Sequence, residues 1–359
     1  MIPEPTSHAR SWDDAAVQPG GIRRRLGPAA VGVWLAALAG PSPAAAHGPL
    51  PAEPPSLASL ALGWTLEPFV GLSLLVVAVA WLRLVGRVNA AHPDTPVARV
   101  RSLAFLSGLA TIAVALLSGL GRYDTALFSV HMVQHILLTL VAAPLIVLGA
   151  PVTLLLRAAT PAVRGRWLLP MLHSRALRIV GQPVVAWLLF AGVMWASHFS
   201  ALFDLALENP LVHDLEHGAF LAAALLFWWP VIGLDPSPHR LSHPARVLYT
   251  FLQMPQNSFL AVAILFAGAP LYVHYATLGS PWGIDALADQ ELAAGIMWLV
   301  GDAIFLVAVI GLVAAWLRHD ERSTAAEDRR ADVAMATIRE REAQLRARRE
   351  GELGGPGRG

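Results

Sequence analysis

The sequence predicts an all-α fold, a polytopic membrane helix bundle of about seven transmembrane helices that follow a cleaved signal peptide. Composition carries the class: 55% of the 359 residues are hydrophobic and 14% charged, and the mean hydropathy is +0.54. A soluble domain of this length does not look like that. The apolar residues are also gathered into stretches long enough to cross a bilayer, with arginine-rich connections between them. The net charge is only +1, every one of the 26 basic residues is arginine, and cysteine is absent. Without cysteine there are no disulfides and no thiolate metal sites, so His, Met, Asp and Glu are the available ligands. The charge distribution leaves no nucleic-acid footprint, and the partner it implies first is the lipid bilayer.

The elements follow in order. In "RRRLGPAAVGVWLAALAGPSPAAAHG" residues 23–25 form a basic region, 29–39 an apolar core and 44–46 a small-residue cleavage site. The core is too short for a comfortable span, so the stretch reads as a signal peptide cut before His47. Residues 1–46 are then leader and signal peptide, 47–65 an external Pro-rich linker, 66–317 the transmembrane domain and 318–359 a charged cytoplasmic tail. A His47 freed at the mature N-terminus would carry an amine and an imidazole on one residue, a chelating pair for a metal ion.

Seven spans are expected, at about residues 69–85, 103–120, 126–148, 183–199, 211–232, 245–268 and 292–317. Alternate connections hold Arg83, Arg87, Arg99 and Arg101, then Arg157, Arg164, Arg166, Arg175 and Arg178, then Arg240 and Arg246, then Arg318. The others hold Asp124, Asp204, Glu208, Asp285, Asp289 and Glu291 with Arg122 as their one base. The positive-inside rule therefore puts the mature N-terminus outside and the C-terminus inside. Residues 339–359, dense in mixed charge and ending in glycines, read as a solvated helix fraying into disorder.

Histidines gather at the outer ends of these spans. "SVHMVQHILL" sets His131 and His135 four residues apart, on one helical face about one turn from each other. "NPLVHDLEHGAF" repeats the spacing with His213 and His217, behind Asn209 as N-cap and Pro210 at the first helical position. His198 closes the fourth span, and His274 lies in the outer loop before the last. One intramembrane histidine is ordinarily an interhelical hydrogen-bonding group; two such pairs at one depth point to a metal site. Asp214 and Glu216 serve either a helix N-terminus or the orientation of imidazoles. Gln253, Gln256 and Asn257 around Pro255 read as polar glue of a kinked sixth helix, and Asp302 requires a partner on another helix.

Imidazole suits copper, zinc, nickel and iron, while Met132, Met194 and Met297, each on the outer half of its span, move the balance toward Cu(I). Methionine fills helix interfaces equally well. The residues thus point to copper first, held by His131, His135, His213, His217 and His198 with no catalytic role.

The segments "SVHMVQHILLTLVAAPLIVLGAPVTLLLR", "HDLEHGAFL", "FWWPVIGLDP", "MPQNSFL", "PLYVHY" and "DQELAAGIMW" together resemble the CtaG family of bacterial cytochrome c oxidase assembly factors, the seven-span kind described with caa-type oxidases. This is not the single-span copper chaperone of the same name. The resemblance covers about residues 62–317 and implies a non-enzymatic factor that helps copper reach a haem-copper oxidase. Its partners would be cytochrome c oxidase subunits and a soluble external copper carrier, and its matching histidines are His131, His135, His213 and His217. Three other readings stay open. "HDLEH" fits an inverted zinc-protease motif, with Glu216 as base and His213 and His217 as ligands. Facing histidines also serve haem-binding membrane cytochromes, and the polar groups near Pro255 would serve a copper permease.

Overall fold

Where no water reaches the backbone, a chain must satisfy its own N–H and C=O groups, and the apolar stretches here do so as helices. The computed structural model describes residues 51–278 and 282–353. The expected signal peptide, its cleavage site and His47 lie outside the described residues. Helix α1 is Pro68–Ala91 and α2 Arg99–Leu117; α3, Phe128–Ile136, continues through π-helical turns at Leu137–Ala142 into α4, Ala143–Leu148. Helix α5 is Pro183–His198, α6 Leu202–Glu208, α7 Pro210–Ile232, α8 His243–Phe251, α9 Gln253–Leu265 and α10 Ala286–Leu353. No strand is present among the described residues.

Among the described residues, five stretches are long and apolar enough to cross a membrane: Pro68–Ala91, Arg99–Tyr123, Phe128–Ala158, Pro210–Ile232 and Ala286–Arg346. The expected fourth span, residues 183–199, is α5; α6 follows it at a 70° bend, and the two make a sixth crossing when the pair is counted as one. The expected sixth span is divided into α8 and α9, of 9 and 13 residues. Each is short of the ~20 residues a crossing helix needs. The break falls where Pro255 has no N–H for the carbonyl four residues earlier. Residues 318–353, expected as part of a charged tail, prolong α10 without interruption to a total of 68 residues. Their described side chains are almost all exposed, as their mixed charge demands.

Helix α3 and its π turns sit at the centre. Helix α10 packs along α3, while α2 and α7 flank the π turns and α4; α5 leans on α7, and α8 and α9 lean on α10. The π turns have a local cause. Pro144 cannot donate to the turn before it, and the carbonyl of Thr139 is taken up by the indole N–H of Trp228 on α7 at 2.9 Å. Gly108 lets α2 come close at this place, since a Cβ there would lie 2.8 Å from Cγ1 of Ile146 and 3.0 Å from the carbonyl oxygen of Ala142. Buried Asp289 at the head of α10 accepts from the Ser129 hydroxyl and, at 3.3 Å, from the Ser129 N–H, so the first turn of α3 is pinned to α10. Asp302 has its partners on α9: Nδ2 of Asn257 at 3.0 Å and the hydroxyl of Ser258 at 2.5 Å.

Replacing Gly108 with Val forces α2 away from α4 and should lower stability by about 1–3 kcal/mol. A thermal melt of the detergent-solubilised protein reads this, and an unchanged transition would show that the close approach is unimportant.

Candidate metal centre

Helix α3 starts at Phe128, after Leu127 in extended conformation, and places His131 and His135 in its first two turns. Helix α7 starts as its sequence predicts: Oδ1 of Asn209 accepts from the N–H groups of Leu211 (3.0 Å) and Val212 (3.3 Å), and Pro210 opens the helix. This sets His213 and His217 opposite the α3 pair. Ring centroids are 4.2 Å apart within each pair, and 5.5 Å apart across the helices for both His131–His213 and His135–His217. His198, in the last turn of α5, stands 6.5 Å from His135. All five expected histidines are brought together, and all five are buried. His274 is not among them: its Nε2–H donates to the carbonyl of Thr125 at 2.9 Å.

Two carboxylates join the imidazoles. Glu216 turns inward, accepts from the Ser197 hydroxyl with Oε1 and holds Oε2 3.9 Å from Nε2 of His131. Asp214 on the same helix is exposed, so the two acids of "HDLEH" divide between surface and site. Asp124, in the loop before α3, puts Oδ2 3.8 Å from Nε2 of His213 and accepts from the Thr125 N–H at 2.6 Å. Burial pushes the Asp124 carboxyl up to about 7, against the opposing pull of its hydrogen bonds. The 3.8 and 3.9 Å separations are too long for hydrogen bonds. They fall just short of twice a metal–imidazole bond of about 2.0–2.1 Å. In each of two groups, Asp124 with His213 and His217, and His131 with His213 and Glu216, the ligand atoms lie within 4.8 Å of one another.

The hydrogen-bond account of this cluster is open. Both ring nitrogens of His131 and of His135, and Nε2 of His198, are buried with no hydrogen-bond partner among the described residues. Native interiors almost always pair such atoms. The second nitrogen of His198 is engaged, with Nδ1–H donating to the Met194 carbonyl at 2.7 Å; that fixes the tautomer and leaves the Nε2 lone pair for a ligand. The donor set of imidazoles, carboxylates and neighbouring thioethers fits a copper ion.

Aromatic residues wall the cluster off. The bend between α5 and α6 returns Phe203 over the site, 5.1 Å from His131 and 5.6 Å from His198, while Phe220 lies 4.2 Å from His135. Tyr272 stacks on Phe203 at 4.1 Å, and the Tyr275 hydroxyl donates to the Asp124 carbonyl at 2.7 Å. The segment "PLYVHY" therefore roofs the centre. Asp124 did not stand out in the sequence, where it was one acid among several in outer connections; its position directly ahead of the HxxxH helix was the available signal.

A family model described as cytochrome c oxidase caa3 assembly factor matches residues 79–319. Uncharacterized proteins of Mycobacterium bovis and Mycobacterium tuberculosis are each 32% identical over 287 residues, which cover 78% of this chain and 43% of theirs. One from Mycobacterium leprae is 31% identical over 291 residues, 79% of this chain and 44% of its own. The chain thus spans less than half the length of these relatives. No solved structure matches it.

If Asp124 helps hold an ion, Asp124→Ala should weaken copper binding by the purified protein roughly 10–100-fold, while Asp214→Ala leaves it unchanged. Competition against a chelator of known affinity measures both, and equal affinities would remove Asp124 from the centre.

Proposed function

The chain belongs to the family of cytochrome c oxidase caa3 assembly factors, and on that premise we propose that it takes up copper as cargo at the outer face of the bacterial cytoplasmic membrane and supports metallation of the haem-copper oxidase. The observation that carries this reading is the convergence of His131, His135, His198, His213 and His217 with Asp124 and Glu216 in one buried cluster. Imidazoles with adjacent thioethers favour Cu(I) over harder ions.

Orientation rests on the arginine-rich connections, which face the cytoplasm and leave the histidines near the outer surface. The bilayer is crossed seven times when α5 with α6 and α8 with α9 each count as one crossing. The mature N-terminus is then outside, and α10 carries the C-terminus into the cytoplasm. Oxidase subunits receive the metal, and a soluble external carrier supplies it.

The packing favours this reading over its rivals. A protease requires Glu216 free to activate water beside the ion, whereas here it is bonded to Ser197 and lies within ligand distance of His131 and His213. A haem would need a slot between facing imidazoles, and those rings pack against one another and against Phe203 and Phe220.

Two experiments test the proposal. Reporter fusions after Arg166 and Arg318 should read as cytoplasmic and one at Asp285 as external; the reverse pattern would put the histidines on the wrong face. Replacing both pairs, His131 with His135 and His213 with His217, by Ala should abolish assembly of active oxidase in cells while the protein still inserts at normal levels. Full oxidase activity in that variant would reject the site.

A further inference from the structure

Below the clustered imidazoles, one cavity is lined by Met132, His135, Met194, His198, Asn257 and Met297. We propose that it is a second, sulfur-rich seat for a soft monovalent cation, Cu(I) or its analogue Ag(I), distinct from the carboxylate-bearing seat above it. The inference rests on the copper-handling reading and extends it.

The three thioethers come from three helices, α3, α5 and α10, and they are three of only seven methionines in the chain. Met132 and Met297 are 2% and 3% exposed, with Met194 packed against the same cluster. Methionine that merely filled a gap would be expected to close it; here all three border open space that two histidines share. Those histidines supply an independent sign of a ligand. Nε2 of His198 and both ring nitrogens of His135 are buried without hydrogen-bond partners among the described residues, and the tautomer of His198 set by the Met194 carbonyl keeps a lone pair on Nε2.

The two seats differ in charge. Asp124 and Glu216 belong to the upper groups, while no carboxylate among the described residues lines the cavity. Moving an ion into a low-dielectric site costs free energy that grows with the square of its charge, and with no anion to offset it a divalent ion pays about four times what a monovalent ion does. Thioether and imidazole donors select Cu(I) by their softness as well. His135 borders both seats: it lies one helical turn inward of His131, with its ring 5.5 Å from that of His217 above and 6.5 Å from that of His198 beside the methionines. An ion held by the upper pairs therefore has a neighbouring ligand through which to pass into the cavity.

X-ray absorption at the copper edge, on the full chain purified in detergent and loaded with Cu(I) under reducing conditions, tests this. The expected spectrum contains sulfur as well as nitrogen scatterers. The volume-conserving triple variant Met132→Leu, Met194→Leu, Met297→Leu should lose the sulfur contribution and at least one equivalent of bound Cu(I) or Ag(I), while binding Cu(II) at the upper seat as the parent does. A parent spectrum with bound Cu(I) and only nitrogen or oxygen neighbours overturns the second seat whether or not the variant folds, and leaves the histidine reading standing. Absence of any bound copper, Cu(I) or Cu(II), overturns both.

Discussion

A polar atom moved from water to an apolar interior without a hydrogen bond costs roughly 2–7 kcal/mol, and both ring nitrogens of His131 and of His135 are in that position. A bundle that spent this much on four atoms without return would be a poor fold, since whole domains are stable by only about 5–15 kcal/mol. A bound cation would offset part of this cost, because the lone-pair nitrogen of each ring would become its ligand. The buried cluster therefore makes sense as a place for an ion, and much of the surrounding architecture serves to hold its donors in position.

That architecture depends on anchors at both ends of α3. At the outer end, Asp289 grips the Ser129 N–H and hydroxyl, so the first turn that carries His131 cannot fray. At the inner end the helix loosens into π turns just after His135, where the Thr139 hydroxyl bonds back to the His135 carbonyl at 2.6 Å and Trp228 takes the Thr139 carbonyl. Such turns recur at functional sites because they re-aim side chains without ending a helix. Here they separate the histidine face from a closely packed lower half in which Gly108 lets α2 touch α4. The polar residues of the last two helices have structural work of a similar kind. Gln290 accepts from the Leu271 N–H at 2.7 Å and donates to the Ile264 and Ala269 carbonyls at 3.3 and 3.2 Å, tying down the loop that roofs the centre.

Periodicity and end signals were legible in the sequence: the two HxxxH pairs and the Asn209–Pro210 start of α7 follow from the 3.6-residue repeat and from helix-end chemistry. What eluded it depends on tertiary contact. Asp124 enters the site because a short turn and the roof formed by Tyr275 aim it inward, and nothing local to its sequence says so. Asp302 showed that a partner was needed, but Asn257 and Ser258 are revealed only by the packing of α9 on α10. The kink expected around Pro255 is in fact a full division of the sixth span at Leu252, and the 70° turn from α5 into α6 depends on how α6 packs, which hydropathy does not register. The long continuation of α10 as a solvated helix reflects helix-forming Ala, Glu and Arg.

The central claim is that the buried histidine cluster holds copper, and elemental analysis of the purified chain addresses it most directly. Protein prepared from copper-supplemented cells and washed with a weak chelator is predicted to retain at least one copper per chain, and the variant lacking His131, His135, His213 and His217 to lose at least one equivalent of it. Copper at background level in the parent, or the same copper content in parent and variant, would contradict the account.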